Sequence, residues 1–428
     1  MICVIYRIIL PTKKTLRTWS SLERSYTMLN GLFYTFTGLL GLSFFTSKSA
    51  IAISGWLLFL TSLFMVPWAG IWKRSPWLVL TLALYPLAIV INLFSLGGVS
   101  SAFHTAGSLA FILFALPFYV LWTNSRLKKL FLLSSFASLI VACAYSFYTL
   151  ATGYHGVFTG NERITAFFDV SRWGLFSATG ILALYIAVFQ KSRWWVRLVC
   201  FFGLISATVS FIISNSRAPM LGLLASFIFL SLFTDRRYLK GLFIIALGGA
   251  ITLVASPRLL ERVKSIAAVQ TAPDGQLISE NTSNAGRLYM WKVAGDFWKE
   301  QPFLGTGMEN TEAPLKKFVS KQSEEYQKRY IIHTFSFRDQ HNSYLNVLVQ
   351  FGLIYFIIFF GVIGWILFKA WDRKKIQSSP ERQFAWAGII CFLIVGIFYG
   401  EIISYGSIVF WPLIPLLFYE KSESPRTT

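Results

Sequence analysis

The chain has 428 residues, of which 55% are hydrophobic and only 14% charged, against about 25% charged in an ordinary soluble domain. This composition excludes a soluble two- or three-domain protein, a disordered chain, a collagen and a disulfide scaffold, and leaves an all-α polytopic membrane protein. The formal net charge of +20 would point to nucleic acid in a soluble chain, but here it is first a matter of membrane topology, and no nucleic-acid partner is expected.

A transmembrane helix needs about 20 mostly apolar residues. In chain order, twelve runs meet that need, centred near Tyr34, Leu60, Tyr85, Phe114, Val141, Leu182, Leu204, Ala225, Ala246, Ile357, Leu393 and Leu413. The apolar stretch Met1–Leu10 is short and is followed by basic residues, the reverse of a signal peptide. The first span is therefore expected to serve as an uncleaved insertion signal. Cys3, Cys143, Cys200 and Cys391 have neither CxxC nor zinc-site spacing and read as small hydrophobes.

Basic residues set the orientation. With the N-terminus inside, the short inner segments carry 23 Lys and Arg. The short outer loops carry 4, namely Lys48, Arg163, Arg172 and Arg217. The other 12 lie in one long outer segment from about Pro257 to Gln340, and long loops do not report orientation. Both termini are thus expected in the cytoplasm. The organisation is a bundle of about nine helices over residues 1–256, a helical outer segment over 257–342, and about three helices over 343–428. Attraction to anionic membrane lipids is a secondary effect of the basic residues.

The long segment has 12 basic and 10 acidic residues. At about 80 residues it is marginal for a core of its own, so it is expected to pack on the membrane domain. Leu288, Trp291, Gly295 and Trp298 share one helical face, and Leu315, Phe318, Gln322, Tyr326 and Tyr330 another. Pro302-Phe303-Leu304-Gly305-Thr306-Gly307 between them is a chain-reversing turn, a better reading of the glycine pair than a phosphate loop. Residues 271–285 are polar and are expected to be mobile.

Polar groups at the outer end of an apolar body are candidates for function, because a charge in hydrocarbon costs about 2.5–3.5 kcal/mol. In Ser214-Asn215-Ser216-Arg217-Ala218-Pro219, Ser216 suits an N-cap and Pro219 a first turn, which puts Arg217 beside a positive helix end. A guanidinium there suits phosphate through its bidentate fork, although a snorkelling arginine has the same pattern. Arg287 follows the cap-like Ser283-Asn284 just before a helix, where a solvated surface role is the bland alternative. Arg163, in Asn161-Glu162-Arg163, has Asp169 and Arg172 nearby, which also suits a local ion-pair cluster. His341-Asn342-Ser343 opens the tenth span, and an imidazole titrates near neutrality, so His341 can act as a base. A hydrogen-bonded interfacial histidine would look the same. His104 and His155 lack such a setting, and His333 is the substitute base. No Walker A loop, HExxH or external Asp-x-Asp is present. Intramembrane acids are almost missing, and Glu401 comes closest. Neither a cofactor nor a metal is expected, and a transporter lacks the buried charges to line its path.

Several of these motifs resemble the bacterial O-antigen ligases: Arg217-x-x-x-Leu221 after a short outer turn, Pro302-x-x-Gly305-x-Gly307, His341-Asn342 with Gly352 ten residues on, and the large segment before the His. Where that family often has a second glycine, this chain has Tyr355. O-antigen polymerases and protein O-oligosaccharyltransferases share the Arg and His features. A length near 430 without a further C-terminal domain favours the ligase. The resemblance implies an inner-membrane enzyme of lipopolysaccharide assembly that works on the periplasmic side. It would move a glycan from undecaprenyl diphosphate to the lipid A-core oligosaccharide, with inversion and without a metal. On that analogy His341 is the base, Arg217 and Arg287 bind the diphosphate, and Arg163 and Arg172 complete the anion site.

Overall fold

The computed structural model describes residues 13–152, 165–190, 192–214, 216–239, 242–243, 270–271, 277–278, 282–330 and 337–420. Helices dominate it. The first part runs α1 (Lys13–Ser43), α2 (Lys48–Met65), the short α3 (Ile71–Arg74), α4 (Pro76–Leu93) and α5 (Gly98–Ser108). A 3-10 turn over Leu109–Phe114 joins α5 to α6 (Ala115–Thr123). There follow α7 (Ser125–Thr152), α8 (Val170–Phe189), α9 (Trp194–Ile213) and α10 (Arg217–Phe233). Gln270 and Thr271 pair antiparallel with Ile278 and Leu277 in a two-residue ladder, within a stretch that the composition suggested was mobile. Beyond it lie α11 (Thr282–Glu300), α12 (Glu312–Ser320), α13 (Glu324–Tyr330), α14 (Ser343–Ala370), α15 (Arg373–Ser378), α16 (Pro380–Gly396), a 3-10 turn over Tyr405–Val409 and α17 (Leu413–Leu417).

Among the described residues, seven helical segments are long and apolar enough to cross a bilayer: α2, α4, α5 with α6, α7, α8, α9 and α14. The expected centres at Leu60, Tyr85, Phe114, Val141, Leu182, Leu204 and Ile357 fall in these seven. Those at Ala225 and Leu413 fall in shorter apolar helices, Arg217–Phe233 and Tyr405–Leu417. Tyr34 and Leu393 lie in α1 and α16, and Ala246 is outside the described residues.

Local chemistry starts the helices where the sequence suggests. Ser47 caps α2 and Asp169 caps α8, each accepting a hydrogen bond from a first-turn N–H. Asn342 caps α14 by accepting from both Tyr344 and Leu345. Ser379 caps α16, with Pro380 in its first turn. The helices then pack through small residues and hydroxyls. Ser226 on α10 donates to the Ala387 carbonyl on α16 at 2.7 Å, and Ser138 on α7 donates to Gly41 on α1 at 3.0 Å. Large side chains including Trp173, Trp411, Tyr185 and Phe359 fill the centre. Phe64, Phe202, Ile357 and Phe368 stay well exposed on the spans, as lipid contact requires.

The stretch from Thr282 to Ser320 contributes a second, smaller core. Val293, Ala294, Phe297, Leu315, Phe318 and Val319 cluster against Val349 of α14, so the segment packs on the helix that follows it. Two details differ from the sequence reading. The buried face of α11 is Tyr289, Met290, Val293, Ala294 and Phe297, turned from the Leu288–Trp298 stripe, and Leu288 is exposed. The stripe from Leu315 to Tyr330 is split between α12 and α13 by a break at residues 321–323. In α11 the buried face is rotated from the predicted one, whereas Leu315 and Phe318 of the second stripe are buried as expected.

Candidate active site

The site is built around the connection from Ile397 to Ser404, between α16 and the second 3-10 turn. Ser343, in the first turn of α14, donates its hydroxyl to the Tyr399 carbonyl at 2.6 Å and accepts from the Ile402 N–H at 3.1 Å. This connection therefore lies against the helix start that carries His341. At Gly400, a Cβ would come within 2.5 Å of the Asn346 amide and 2.8 Å of the Asp339 carboxylate. Only a residue without a side chain allows that approach.

His341 immediately precedes the cap residue Asn342 and has a left-handed backbone, φ 48°. Such a φ is uncommon for a residue with a side chain, but histidine tolerates it better than most. Asp339 stabilises the turn by accepting from the His341 N–H at 2.8 Å and from the Asn346 amide at 2.7 Å. Its other oxygen lies 3.8 Å from His341 Nδ1. The imidazole is 40% exposed, so one edge is held near a carboxylate while the ring remains open to a partner.

Arg287 lies inside α11, the sixth residue of a helix that begins at Thr282; the sequence reading had it ahead of the helix. The cap-like Ser283-Asn284 is thus already helical. Its guanidinium stands 5.5 Å from the centre of the Tyr399 ring, a cation–π contact. Trp291, one turn further along α11, donates to the Gln340 carbonyl at 2.9 Å and its ring faces Phe398. Arg287 and His341 are accordingly attached to the same connection from two sides.

Arg172 reaches it from a third. It bonds Asp169 at 2.6 Å and lies 3.8 Å from Glu401, and its guanidinium is 5.9 Å from the Tyr405 ring. Lys48 approaches the same ring at 5.1 Å. Burial favours the neutral acid at Asp169. The charge of Arg172, the Ser171 hydroxyl and the Arg172 N–H groups outweigh it and hold the carboxyl below the usual range. At Glu401 burial dominates and lifts the carboxyl above that range, against the opposing charge of Arg172 and the hydroxyls of Ser404 and Ser171.

Arg217 is the first residue of α10, and Ser216 is its cap position, as expected. A Cβ on Gly174 would come within 2.6 Å of Ser216 Oγ, so this helix start packs on the first turn of α8, beside Arg172. The starts of α8, α10 and α14 thus share one end of the bundle. The positive ends of these helix dipoles add to the potential of the arginines. Arg163 and the substitute base His333 lie outside the described residues.

The turn upstream of the site is tied into α14. Gly305 and Gly307 have φ of 71° and 89°. The α14 ladder is interrupted at Gly352, φ 73° and ψ 178°, a conformation open essentially to glycine alone. The turn takes up the broken ladder. Leu353 donates to the Pro302 carbonyl at 2.7 Å, and Thr306 and Gly307 donate to Val349 and Gln350 at 2.9 Å each. Tyr355, where the ligases often have a second glycine, is fully buried between Phe351 and Phe359.

Residues 202–360 match a family model described as O-Antigen ligase. Over this stretch the chain is similar to the O-antigen ligase family. An uncharacterized protein of Haemophilus influenzae is similar, 25% identical over 296 residues that cover 67% of this chain and 71% of that one. The family implies a membrane glycosyltransferase that works on lipid-linked glycans. The O-antigen ligase match contains Arg217, Arg287, the 302–307 turn, His341 and Gly352, whereas Arg172 and Glu401 lie outside it. Sequence reading did not find Tyr399, Asp339 or Asn346. Of these only Asp339, two residues before His341, carried a signal in its spacing.

Proposed function

We propose that the protein is an O-antigen ligase of the bacterial inner membrane, with both termini in the cytoplasm and its site open to the periplasm. The donor is a glycan on undecaprenyl diphosphate and the acceptor is a hydroxyl of the lipid A-core oligosaccharide. The observation that supports this best is the convergence of His341, Arg287 and Arg172 on the Tyr399–Glu401 connection. A base and guanidinium groups at one end of an apolar body suit two reactants that are both lipids.

In the reaction, Arg217 and Arg287 bind the diphosphate and stabilise the charge that grows on it as the anomeric C–O bond breaks. Arg172, with Arg163, completes the anion site. His341 takes the proton of the acceptor hydroxyl as its oxygen attacks the anomeric carbon from the opposite face, and Asp339 stabilises the resulting imidazolium. Attack from that face inverts the anomeric centre. The leaving group is already a diphosphate, so neither a nucleotide nor a metal has a necessary part.

The test is transfer in nanodiscs containing purified lipid-linked glycan and lipid A-core. Arg217→Ala and His341→Ala should each lower transfer by at least about 100-fold while the protein still inserts. Normal glycan on the core in either variant would overturn these roles. Leaving out the core separates the acceptors. Chain extension on the donor without core would make the protein a polymerase, and label on an added protein acceptor would make it a protein glycosyltransferase.

A further inference from the structure

Glu401 is the one acid the sequence flagged near the membrane that the transfer mechanism does not use. It is 5% exposed, and it sits on the connection to which the candidate base and guanidinium groups are attached. A buried carboxylate is costly to keep unless its charge has a use. Its partners are the Ser404 hydroxyl at 2.7 Å, the Ser171 hydroxyl at 3.2 Å and Arg172 at 3.8 Å. The facing Nε of Arg172 is buried and has no hydrogen-bond partner, so its attraction to Glu401 is by charge across a short gap.

The backbone makes room for this carboxylate. A Cβ on Gly406 would lie 2.0 Å from Glu401 Oε2, so glycine there leaves the space the acid occupies. On the other side, Glu401 follows Gly400, which presses on Asp339 and Asn346, and precedes Ile402, which bonds Ser343. Tyr399, two residues back, faces Arg287. Displacement of Glu401 therefore reaches His341, Arg287 and Arg172 within a few contacts, through its own backbone neighbours and the groups they touch.

We propose that Glu401 is a positioning residue for glycosyl transfer, one that fixes Arg172 by charge and, through its own backbone, the placement of His341 and Arg287. The proposal rests on the transferase reading above. Glu401 touches neither reactant and acts only through these neighbours.

The test uses the full chain in nanodiscs with lipid-linked glycan and core acceptor. Glu401→Gln keeps the shape and an acceptor oxygen for one of the two hydroxyls, turns the other oxygen into an amide donor, and removes the charge. Its kcat per folded molecule should fall by about 10- to 100-fold, the scale of a small misplacement of reacting groups, with less than about a threefold change in donor KM. Gly406→Ala keeps the charge but displaces the carboxylate, and should show the same split. Arg172→Gln combined with Glu401→Gln should be no worse than the poorer single variant, because the two residues act as one unit. A purely structural role would lower the yield of folded protein and leave kcat per folded molecule at the wild-type value. That result, or losses that multiply in the double variant, overturns the proposal. Hydrogen exchange gives a readout without turnover: amides at 339–346 should exchange faster in Glu401→Gln than in wild type, and unchanged exchange there also overturns it. If the wild-type protein transfers no glycan, the transferase reading fails, and the exchange result still decides whether Glu401 holds these elements in place.

Discussion

His341 illustrates how a candidate catalytic group is held by its backbone. Its φ of 48° is maintained by Asp339, which accepts from both the His341 N–H and the Asn346 amide. Alanine tolerates a left-handed φ poorly, at a cost of roughly 1–2 kcal/mol, whereas asparagine adopts it readily. His341→Asn should therefore melt within a few degrees of wild type in detergent and still lose transfer. His341→Ala should lose transfer and also melt lower. An Asn variant with normal transfer would show that the imidazole is not the base. The type of this residue was legible in the sequence, since a histidine at a helix start beneath an apolar run is conspicuous. Its surroundings were not: Asn346 ties down the turn by side-chain bonds to Gln340 and Asp339, and Tyr399 comes from a distant stretch, its carbonyl accepting from Ser343. The Arg287 reading failed in register: Ser283-Asn284 looks like a cap, but the helix begins at Thr282.

At the level of elements, the break in α14 is the most exposed to test. A side chain at Gly352 would meet the Phe303 carbonyl at 2.1 Å, and the backbone conformation alone disfavours any other residue by about 1–3 kcal/mol. Gly352→Ala should lower the melting temperature in detergent markedly, and a melt indistinguishable from wild type would contradict the docked turn. α11 supplies a pH test. Burial tends to raise the Asp296 carboxyl, but hydrogen bonds from Lys292, Lys299 and Tyr326 outweigh this and hold it below its usual range. Its stabilising contribution is thus complete above the unfolded pKa of about 3.9 and is lost as the pH falls through the lower folded value. Asp296→Asn should be less stable than wild type near neutrality, and the two melting curves should converge as the pH approaches 3. Parallel curves across that range would remove Asp296 from the account. The existence of α11 and α14 followed from periodicity and apolar length. The buried face of α11 did not, since Trp291 and Trp298 dominate its hydrophobic pattern while the face that packs carries Tyr289, Met290, Val293, Ala294 and Phe297.

Over the whole molecule, the two ends differ in chemistry. One end gathers the starts of α8, α10 and α14 with Arg172, Arg217, Arg287 and His341. At the other, Lys128 at the start of α7 bonds Glu381 at 2.8 Å and Tyr419 at 3.0 Å, and Arg382 bonds the Tyr419 carbonyl at 3.0 Å. On the proposed orientation, which the excess of Lys and Arg in its short segments supports, this second end faces the cytoplasm. A membrane-impermeant maleimide should label Ser320→Cys from the periplasmic side of sealed inner-membrane vesicles and Ser378→Cys from the opposite side. Reversed labelling would invert the topology. Charge and hydropathy made the two ends legible, but not the connection from Ile397 to Ser404, which has no periodic pattern and matters through what it touches.

The docking of the 302–307 turn on α14 has one more consequence. The chain leaves that helix at Leu353–Pro302 and rejoins it at Gln340–Asn346, where the Gln340 N–H bonds Asn346 at 2.9 Å. Residues 308–330 therefore leave a stem to which the chain is tied again at Gln340. Leu315, Phe318 and Val319 also pack on Val349 of that stem, so sequence change is accommodated on the exposed side of α12 and α13, at positions such as Lys316, Lys317, Glu324 and Glu325, where it leaves the stem in place.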